Sequence, residues 1–190
     1  MVLDTIHIMN FKGIEDAEFR FDSDFNLIIG NNGAGKTSIL EAISVGLGAF
    51  LAGIDGVQSI HFSSDEIRRE NELLGEGSNN IIYKTPTCVE CHLILNQEDF
   101  YYKRQKKSVK SSRSTIEPRD ICKAAAALTQ NSKSILPVIS YQGISRISDQ
   151  KRDKWKDVFE DNFSRVVGYT DCLDEASNTK LLTNWFRRME

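Results

Sequence analysis

The residues with the most specific chemistry lie in one glycine-rich loop near the N-terminus. Gly30, Gly35, Lys36 and Thr37 match the GxxxxGK[ST] pattern of a phosphate-binding loop, or Walker A motif. Glycines let successive backbone N–H groups point at phosphates, and Lys36 supplies a positive charge for the β and γ phosphates. The Thr37 hydroxyl is a hard oxygen ligand of the kind that Mg²⁺ prefers. The pattern predicts a site for a nucleoside triphosphate, taken as ATP, with Mg²⁺.

The residues on either side of the loop predict the elements that hold it. Phe25 to Ile29 is apolar and is typical of a strand that enters the loop. Ser38 to Phe50 has apolar residues at helical spacing and predicts a helix that opens at the end of the loop and directs free N–H groups at the phosphates. The predicted nucleotide contacts are Gly30, Asn31, Asn32, Gly33, Ala34, Gly35, Lys36, Thr37 and Ser38.

Length and composition favour one soluble domain and argue against several other classes. With 190 residues and 40% hydrophobic content, the chain can bury one sizeable core. A net charge of −3 indicates no general attraction to nucleic acid or membranes. No secretory signal is visible at the N-terminus, and the longest uncharged stretch, residues 42–54, is too short for a bilayer. We expect a cytoplasmic location without a membrane partner.

The rest of the chain predicts a β-rich part followed by helices. Alternating residues predict strands, and helical spacing after a serine or proline predicts helices. The predicted strands are Val2 to Asn10, Asp16 to Asp22, two or three within Asn80 to Lys107, and Ser134 to Tyr141. The predicted helices are Ser64 to Leu74, Pro118 to Gln130 and segments of 149–190, which end in an apolar stripe of Leu181, Leu182, Trp185 and Phe186.

Four cysteines raise the question of a metal or redox site. Cys88 and Cys91 form a CxxC with His92 next to them, which is a spacing found among zinc ligands. No second pair follows, and positions i and i+3 of a strand point to opposite faces. Buried thiols in a reducing setting are therefore favoured over a zinc or redox centre.

A run of positive charge follows the middle strands. It contains no acidic residue and stands beside the aromatic residues of positions 100–102. One interpretation is a patch that contacts a phosphate backbone such as DNA. The other, which is favoured, is an edge strand kept from pairing by lysines, with a solvated turn. The six cations are Lys103, Arg104, Lys106, Lys107, Lys110 and Arg113.

The stretch from Ile6 to Phe50 resembles the N-terminal segment of the SMC, RecF and double-strand-break-repair ATPases, which are ABC-type ATPases that act on DNA. The resemblance is carried by Asn10 to Gly13 and by Asn26 to Ile43, with Leu-Glu-Ala after the loop. It implies an α/β fold, an ABC-type P-loop ATPase head whose N-terminal lobe has an antiparallel β subdomain and peripheral helices. It also implies that Lys12 contacts the nucleotide, the alternative being a solvated turn lysine.

Ile139 to Gly143 is similar to the Q-loop of that family, a strand that ends in a glutamine touching Mg²⁺ and the attacking water. An amide suits both tasks because its oxygen ligates the metal while its nitrogen donates a hydrogen bond. The interval from Lys36 to Gln142 is longer than is usual in ABC-class membrane transporters and is similar to that of the DNA-repair members. The resemblance implies Lys36 and Gln142 as catalytic residues, and Thr37 and Gln142 as metal ligands.

Three further segments are similar to a narrower group of predicted bacterial ATPases. They are Leu51 to Ile60, Gly168 to Asp174, and Trp185 with Phe186. The group includes the ATP-binding, PtuA-like subunit of Septu-type and retron-associated anti-phage systems. That resemblance implies a role in antiviral defence and a partner nuclease of the HNH type.

Two elements that ABC-type hydrolysis needs do not occur in the 190 residues: a Walker B strand ending in Asp-Glu and an LSGGQ-like signature. Asp65-Glu66 follows no apolar strand. The family resemblance implies that both elements lie in a C-terminal half, beyond a helical insertion. We therefore expect residues 1–190 to be an N-terminal lobe with three parts: strands, P-loop and first helix in 1–60, a β-rich and helical part in 61–145, and a helical end in 146–190 that leads to the insertion.

The expected function is binding of ATP and Mg²⁺ as the N-terminal half of a RecF/SMC-like ATPase in DNA repair or anti-phage defence. Hydrolysis would require the C-terminal half and a homodimer of two heads, since nothing in this chain supplies a general base or completes the charge clamp on the phosphoryl group. Two alternatives stay open. One is a scaffold head that uses nucleotide for assembly without significant hydrolysis, and the other is an ABC transporter motor, which the interval before Gln142 disfavours.

Overall fold

The computed structural model describes residues 1–74, 78–143 and 164–174. Most of the predicted helical end at 146–190, including its apolar stripe, lies outside these ranges. No helix among the described residues has both the length and the apolar character needed to cross a membrane. The elements are β1 (Val2–Phe11), β2 (Ile14–Arg20), α1 (Lys36–Leu51), β3 (Arg69–Leu74), β4 (Ser78–Tyr83), β5 (Thr87–Leu95), β6 (Glu98–Lys106), β7 (Thr115–Glu117), α2 (Asp120–Gln130) and a 3-10 turn at Val167–Tyr169.

A five-stranded antiparallel sheet in the order β2-β1-β5-β6-β7 forms the centre of the fold. Alternation along β1 and β5 directs Ile6, Ile8, Val89 and Leu93 into the core, where they are fully buried. Strands β3 and β4 form a separate hairpin. The mixed α/β class, the N-terminal pair of antiparallel strands and the three strands between residues 78 and 107 are confirmed.

Helix α1 packs very closely against the sheet and against α2. A Cβ atom on Gly46 would lie 2.6 Å from the Cys91 sulfur, and one on Gly53, just after the helix, would lie 2.0 Å from the Cys122 carbonyl oxygen. These positions therefore require glycine for space. The contact leaves Val45 and Phe50 of α1 in the core. The predicted helices that correspond to α1 and α2 are confirmed, and none of their boundaries is shifted by more than two residues.

The side chain of Arg104 is fully buried and joins the sheet to α1. Its Nη1 donates to the Val45 carbonyl oxygen at 2.6 Å, and its Nη2 donates to the Ile60 carbonyl oxygen at 2.7 Å and to Ser114 Oγ at 2.9 Å. Burial lowers the pKa of Arg104 to about 10, so the group stays positively charged at neutral pH. This cation lies against the C-terminal half of α1, where the helix dipole favours positive charge.

The favoured interpretation of the basic run was wrong in one respect. Strand β6 is not an edge strand, because it pairs with β5 on one side and with β7 on the other. Arg104 and Lys106 point inward, and Lys106 Nζ donates to the Phe62 carbonyl oxygen at 3.1 Å. These two of the six cations are therefore internal hydrogen-bond donors and are not part of a surface patch.

Three predicted elements were also wrong. Residues 64–74 do not form a helix: Ile67 bridges to Phe11, and β3 pairs with β4, so tertiary contacts override the local helix signals. Phe25 to Ile29 and Ser134 to Tyr141 form no strand. A strand needs a hydrogen-bonded neighbour, and several apolar side chains of these segments face solvent: Phe25 is 76%, Ile29 81% and Val138 95% exposed, although Ile139 and Tyr141 are buried.

The prediction of buried thiols is confirmed for Cys88 and Cys91, and Cys122 and Cys172 are free and buried as well. Burial raises the pKa of Cys88 to about 11 and that of Cys91 to about 12, so both thiols stay protonated at neutral pH. Within the described ranges, no group of three His, Cys, Asp or Glu side chains is placed to hold a metal ion.

The solvent-facing side of the sheet carries two histidines, each held between carboxylates of neighbouring strands. His7 contacts Asp16 at 2.8 Å and Glu90 at 3.4 Å, and His92 contacts Asp99 at 2.7 Å and Asp4 at 3.0 Å. The hydrogen bond to Asp16 raises the pKa of His7. Burial lowers the pKa of His92, but its two hydrogen bonds outweigh that effect and the net shift is upward.

We predict that replacing Arg104 by methionine lowers the free energy of unfolding by about 2–4 kcal/mol, because three acceptors lose a charged donor inside the core. Urea titration followed by circular dichroism measures this change. Lys103→Met is the matched control: Lys103 is the half-buried neighbour on the same strand, and we expect a change of about 0.5 kcal/mol or less. Equal unfolding midpoints for the two variants would contradict the structural role given to Arg104.

We also predict that stability falls as the pH rises above the ordinary histidine pKa of 6.5. A histidine whose pKa is raised on folding stabilises the fold fully below its unfolded pKa, and that contribution is lost as the pH passes through the folded pKa. Urea titrations between about pH 6 and pH 8 cover the range in which the histidines lose their protons. Over this range the free energy of unfolding should fall less in a His7→Gln, His92→Gln double variant than in the wild type. An identical slope in both proteins would show that the two histidines do not contribute.

Candidate functional site

The glycine-rich loop leads directly into the first turn of α1. Gly33 and Gly35 have φ angles of 83° and 87°, a left-handed conformation that glycine adopts without strain. A Cβ atom at either position would meet no other atom within 4 Å, so these two positions require glycine for its backbone conformation. The Ala34 N–H donates to the Asn31 carbonyl oxygen at 3.2 Å and closes a turn between them.

The N-terminus of α1 has the features of an anion site. Gly35 occupies the N-cap position, no side chain caps the first N–H groups, and the first turn contains no acidic residue. The first N–H groups of a helix have no partner within the helix, and the positive end of the helix dipole lies beside them. A phosphate group placed in the loop would satisfy both the N–H groups and the dipole.

Lys36 and Thr37, the first two residues of α1, stand at this end of the helix. Lys36 Nζ donates to the carbonyl oxygens of Gly30 and Asn31, each at 2.8 Å, so its ammonium group lies over the loop. The structure therefore places the loop residues, Lys36 and Thr37 at one end of α1, with the charge of Lys36 held by the loop itself; their contacts with a nucleotide stay a prediction.

Lys12 lies in the tight turn between β1 and β2, with a φ of 47°. Its backbone N–H donates to the Glu66 carbonyl oxygen at 2.7 Å. Its ammonium group forms an ion pair with Glu41 of α1. The turn that carries Lys12 is thus attached to the helix that begins at the loop, and Lys12 is not a solvated turn lysine.

Glu41 and its acidic neighbours were not among the predicted site residues. Burial raises the pKa of Glu66, and the nearby Glu41 charge adds to that shift while Lys12 opposes it. A hydrogen bond from Ser63 lowers the pKa of Asp65, and Lys12 contributes in the same direction. Lys12 therefore stands among three acidic side chains. The spacing of four residues between Thr37 and Glu41 was the available sequence signal, because it places both on one face of α1.

Gln142 has a local partner. Its amide nitrogen donates to Ser140 Oγ at 2.6 Å, and in the described part of the chain no hydrogen bond connects it to the loop. The segment around it is held by residues 164–174: the Tyr141 N–H donates to the Cys172 carbonyl oxygen at 2.7 Å, and the Tyr169 hydroxyl donates to that of Pro137 at 2.6 Å. A role for Gln142 at Mg²⁺ stays a prediction.

Comparison with known proteins adds a family and several relatives. A family model described as an AAA domain matches residues 5–185. The DNA double-strand break repair Rad50 ATPase of Thermoplasma volcanium is 24% identical over 185 residues, which cover 96% of this chain and 17% of the relative. The corresponding ATPase of Thermoplasma acidophilum is 49% identical over 47 residues, which cover 25% of this chain and 5% of the relative.

Two further matches are a protein of DNA replication and repair and a solved structure. The DNA replication and repair protein RecF of Porphyromonas gingivalis is 46% identical over 43 residues, which cover 23% of this chain and 12% of the relative. A solved structure described under ATP-driven dimerization and DNA-stimulated activation of SMC ATPases is 20% identical, with a TM-score of 0.43 and coverage of 67% of this chain and 80% of that chain. The matches to these Rad50 and RecF relatives span 17% or less of their length.

Proposed function

The chain belongs to the family of AAA domains, and we propose that it binds ATP with Mg²⁺ as the N-terminal part of a RecF/SMC-like ABC-type ATPase. The observation that carries this proposal is the glycine loop, whose left-handed Gly33 and Gly35 lead into an uncapped helix N-terminus that begins with Lys36 and Thr37. The names of the Rad50 and RecF relatives support the same class.

Each residue of the proposed site has a separate task. Backbone N–H groups of residues 30–38 surround the phosphates, Lys36 neutralises the β and γ phosphates, and Thr37 ligates Mg²⁺. Lys12 adds a second cation from the β1–β2 turn. Gln142 completes the metal site when its segment is brought to the loop.

We propose that hydrolysis needs a further segment of the protein and a dimer of two heads. Phe25 and Ile29 precede the loop with their side chains in solvent, and Ile135 and Val138 are exposed in the segment before Gln142. Extended apolar segments of this kind are suited to pair with strands supplied from elsewhere in the protein. A Walker B carboxylate and a signature motif on such parts would add the general base and the charge clamp that these 190 residues lack.

The pathway of the whole protein is proposed at the level its relatives support. Names of the relatives favour DNA repair, whereas anti-phage defence and an HNH nuclease partner depend on the narrower resemblance of residues 51–60 and 168–174. A direct DNA contact would use the exposed cations of the basic run, which are Lys107, Lys110 and Arg113. A cytoplasmic location fits both pathways.

We predict that the chain binds Mg²⁺-ATP and that Lys36→Ala weakens this binding by about 10- to 100-fold, because a charged hydrogen-bond donor contributes about 1.5–3 kcal/mol. Isothermal titration calorimetry measures the dissociation constants. Lys133→Ala removes an exposed lysine outside the loop and is the control with no expected change. If Lys36→Ala bound Mg²⁺-ATP as well as the wild type does, the loop would not be the nucleotide site.

We further predict that the 190-residue chain alone shows no steady ATP turnover above the Lys36→Ala background, because it lacks the general base. Phosphate release measures the turnover. Lys36-dependent turnover by the isolated chain would contradict the need for a further segment. In the full-length protein, single-turnover hydrolysis alongside dimerisation with a non-hydrolysable ATP analogue distinguishes an ATPase from a scaffold head, since a scaffold dimerises without hydrolysing.

A further inference from the structure

The ion pair between Lys12 and Glu41 connects the β1–β2 turn with the helix that carries the phosphate loop. The Glu41 side chain is only 15% exposed and that of Lys12 27% exposed. A carboxylate in such a position depends on its cation, because little water is present to replace it. The pair is therefore an energetically significant contact beside the proposed nucleotide site.

The position of Glu41 on α1 places this contact close to the phosphates. Glu41 follows Thr37 by four residues, so the two side chains lie on one face of the helix, about 6 Å apart along its axis. A lysine side chain can cover much of that distance by changing its rotamers. The ammonium group of Lys12 is thus within reach of a phosphate held at the helix N-terminus.

The backbone of the turn offers no comparable freedom. The Lys12 N–H donates to the Glu66 carbonyl oxygen, the Arg68 N–H donates to that of Asn10 at 3.0 Å, and Phe11 pairs with Ile67. Arg68 Nη1 also donates to the Gly13 carbonyl oxygen at 3.0 Å, so the main chain is held on both sides of Lys12. A change of partner by Lys12 therefore takes place in its side chain.

We propose that Glu41 is a latch for Lys12: it holds the ammonium group until ATP binds, and a phosphate oxygen then replaces it. This inference rests on the proposed ATP site. It deepens that proposal by giving the site a regulatory residue that itself has no contact with the nucleotide. After the exchange the Glu41 carboxylate is left without its cation in a largely buried position, and the free energy of that loss reduces the affinity for ATP.

Three variants measure the latch by calorimetric titration with Mg²⁺-ATP. Glu41→Gln removes the charge that must be uncovered, so we expect affinity to rise about fivefold or more. Lys12→Met is expected to bind ATP more weakly than the wild type. The control for loss of a negative charge is Glu15→Gln, which removes an exposed carboxylate paired with Arg68. Adding Glu41→Gln to Lys12→Met should raise the ATP affinity no more than this control does, because no cation remains to be released.

Glu41→Asp distinguishes the effect of the ion pair with Lys12 from the effect of the negative charge at position 41. It keeps the carboxylate but shortens the side chain by one methylene, which breaks the ion pair, and we expect a rise in ATP affinity here too. Thermal unfolding of each variant establishes that it is folded, and the aspartate variant replaces the glutamine variant if the latter is not. Adenosine, which has no phosphate, should bind equally to wild type and Glu41→Gln.

Several outcomes would overturn the latch. They are an unchanged or weakened affinity in Glu41→Gln, an equal gain in the Lys12→Met background, and a gain for adenosine. Failure of the proposed function gives a different result, since the wild type would then show no Lys36-dependent binding of Mg²⁺-ATP. Binding by the wild type without a gain in the Glu41 variants contradicts the latch alone.

Discussion

The fold depends on a buried cation beneath the helix that carries the phosphate loop. Arg104 has no solvent exposure, and in the described part of the chain no carboxylate forms an ion pair with it. Its two terminal nitrogens instead donate to the backbone carbonyls of Val45 and Ile60 and to the Ser114 hydroxyl, whereas its buried Nε has no hydrogen-bond partner among the described residues. Burying a charge in this way costs free energy, and the hydrogen bonds offset that cost only while the acceptors of Val45, Ile60 and Ser114 stay in place. The interaction therefore fixes α1, the loop after it and strand β6 relative to one another.

The two ends of α1 differ in their hydrogen bonding: the N-terminal N–H groups are left without a side-chain cap, whereas carbonyl oxygens of the C-terminal half accept hydrogen bonds from side chains. An N-terminus that binds phosphate must leave its N–H groups uncapped, so it gives up the stabilisation that a capping side chain provides. The C-terminal half compensates. Side chains donate hydrogen bonds to four of its carbonyl oxygens: Arg104 to Val45, Tyr102 to Gly46, Ser59 to Gly48 and Cys122 to Ala49. Glycine at 46 and 48 permits the close approach that these contacts need.

The sequence predicted well those parts whose determinants are local, and poorly those that depend on distant residues. The loop, α1 and the paired strands follow from glycine positions and from alternation within short windows. Residues 25–29 look like a strand by the same rules, but a strand exists only with a neighbour, and no local pattern reveals whether one is supplied. The pairing of Lys12 with Glu41 joins residues far apart in the chain, so neither periodicity nor spacing could indicate it.

The internal partners of both site cations change how nucleotide affinity should be understood. Lys36 is held by two loop carbonyls and Lys12 by Glu41, so a triphosphate in the proposed site would meet cations that already have acceptors. Binding is then an exchange of partners, and its free energy is the difference between the phosphate contacts and the internal contacts that they replace. The two exchanges differ in kind. Carbonyls released by Lys36 are neutral and lie in an exposed loop, whereas Glu41 retains a charge with little access to water. In the proposed site the larger cost would therefore lie at Lys12, and the β1–β2 turn would have more control over nucleotide affinity than its distance from the loop in sequence suggests.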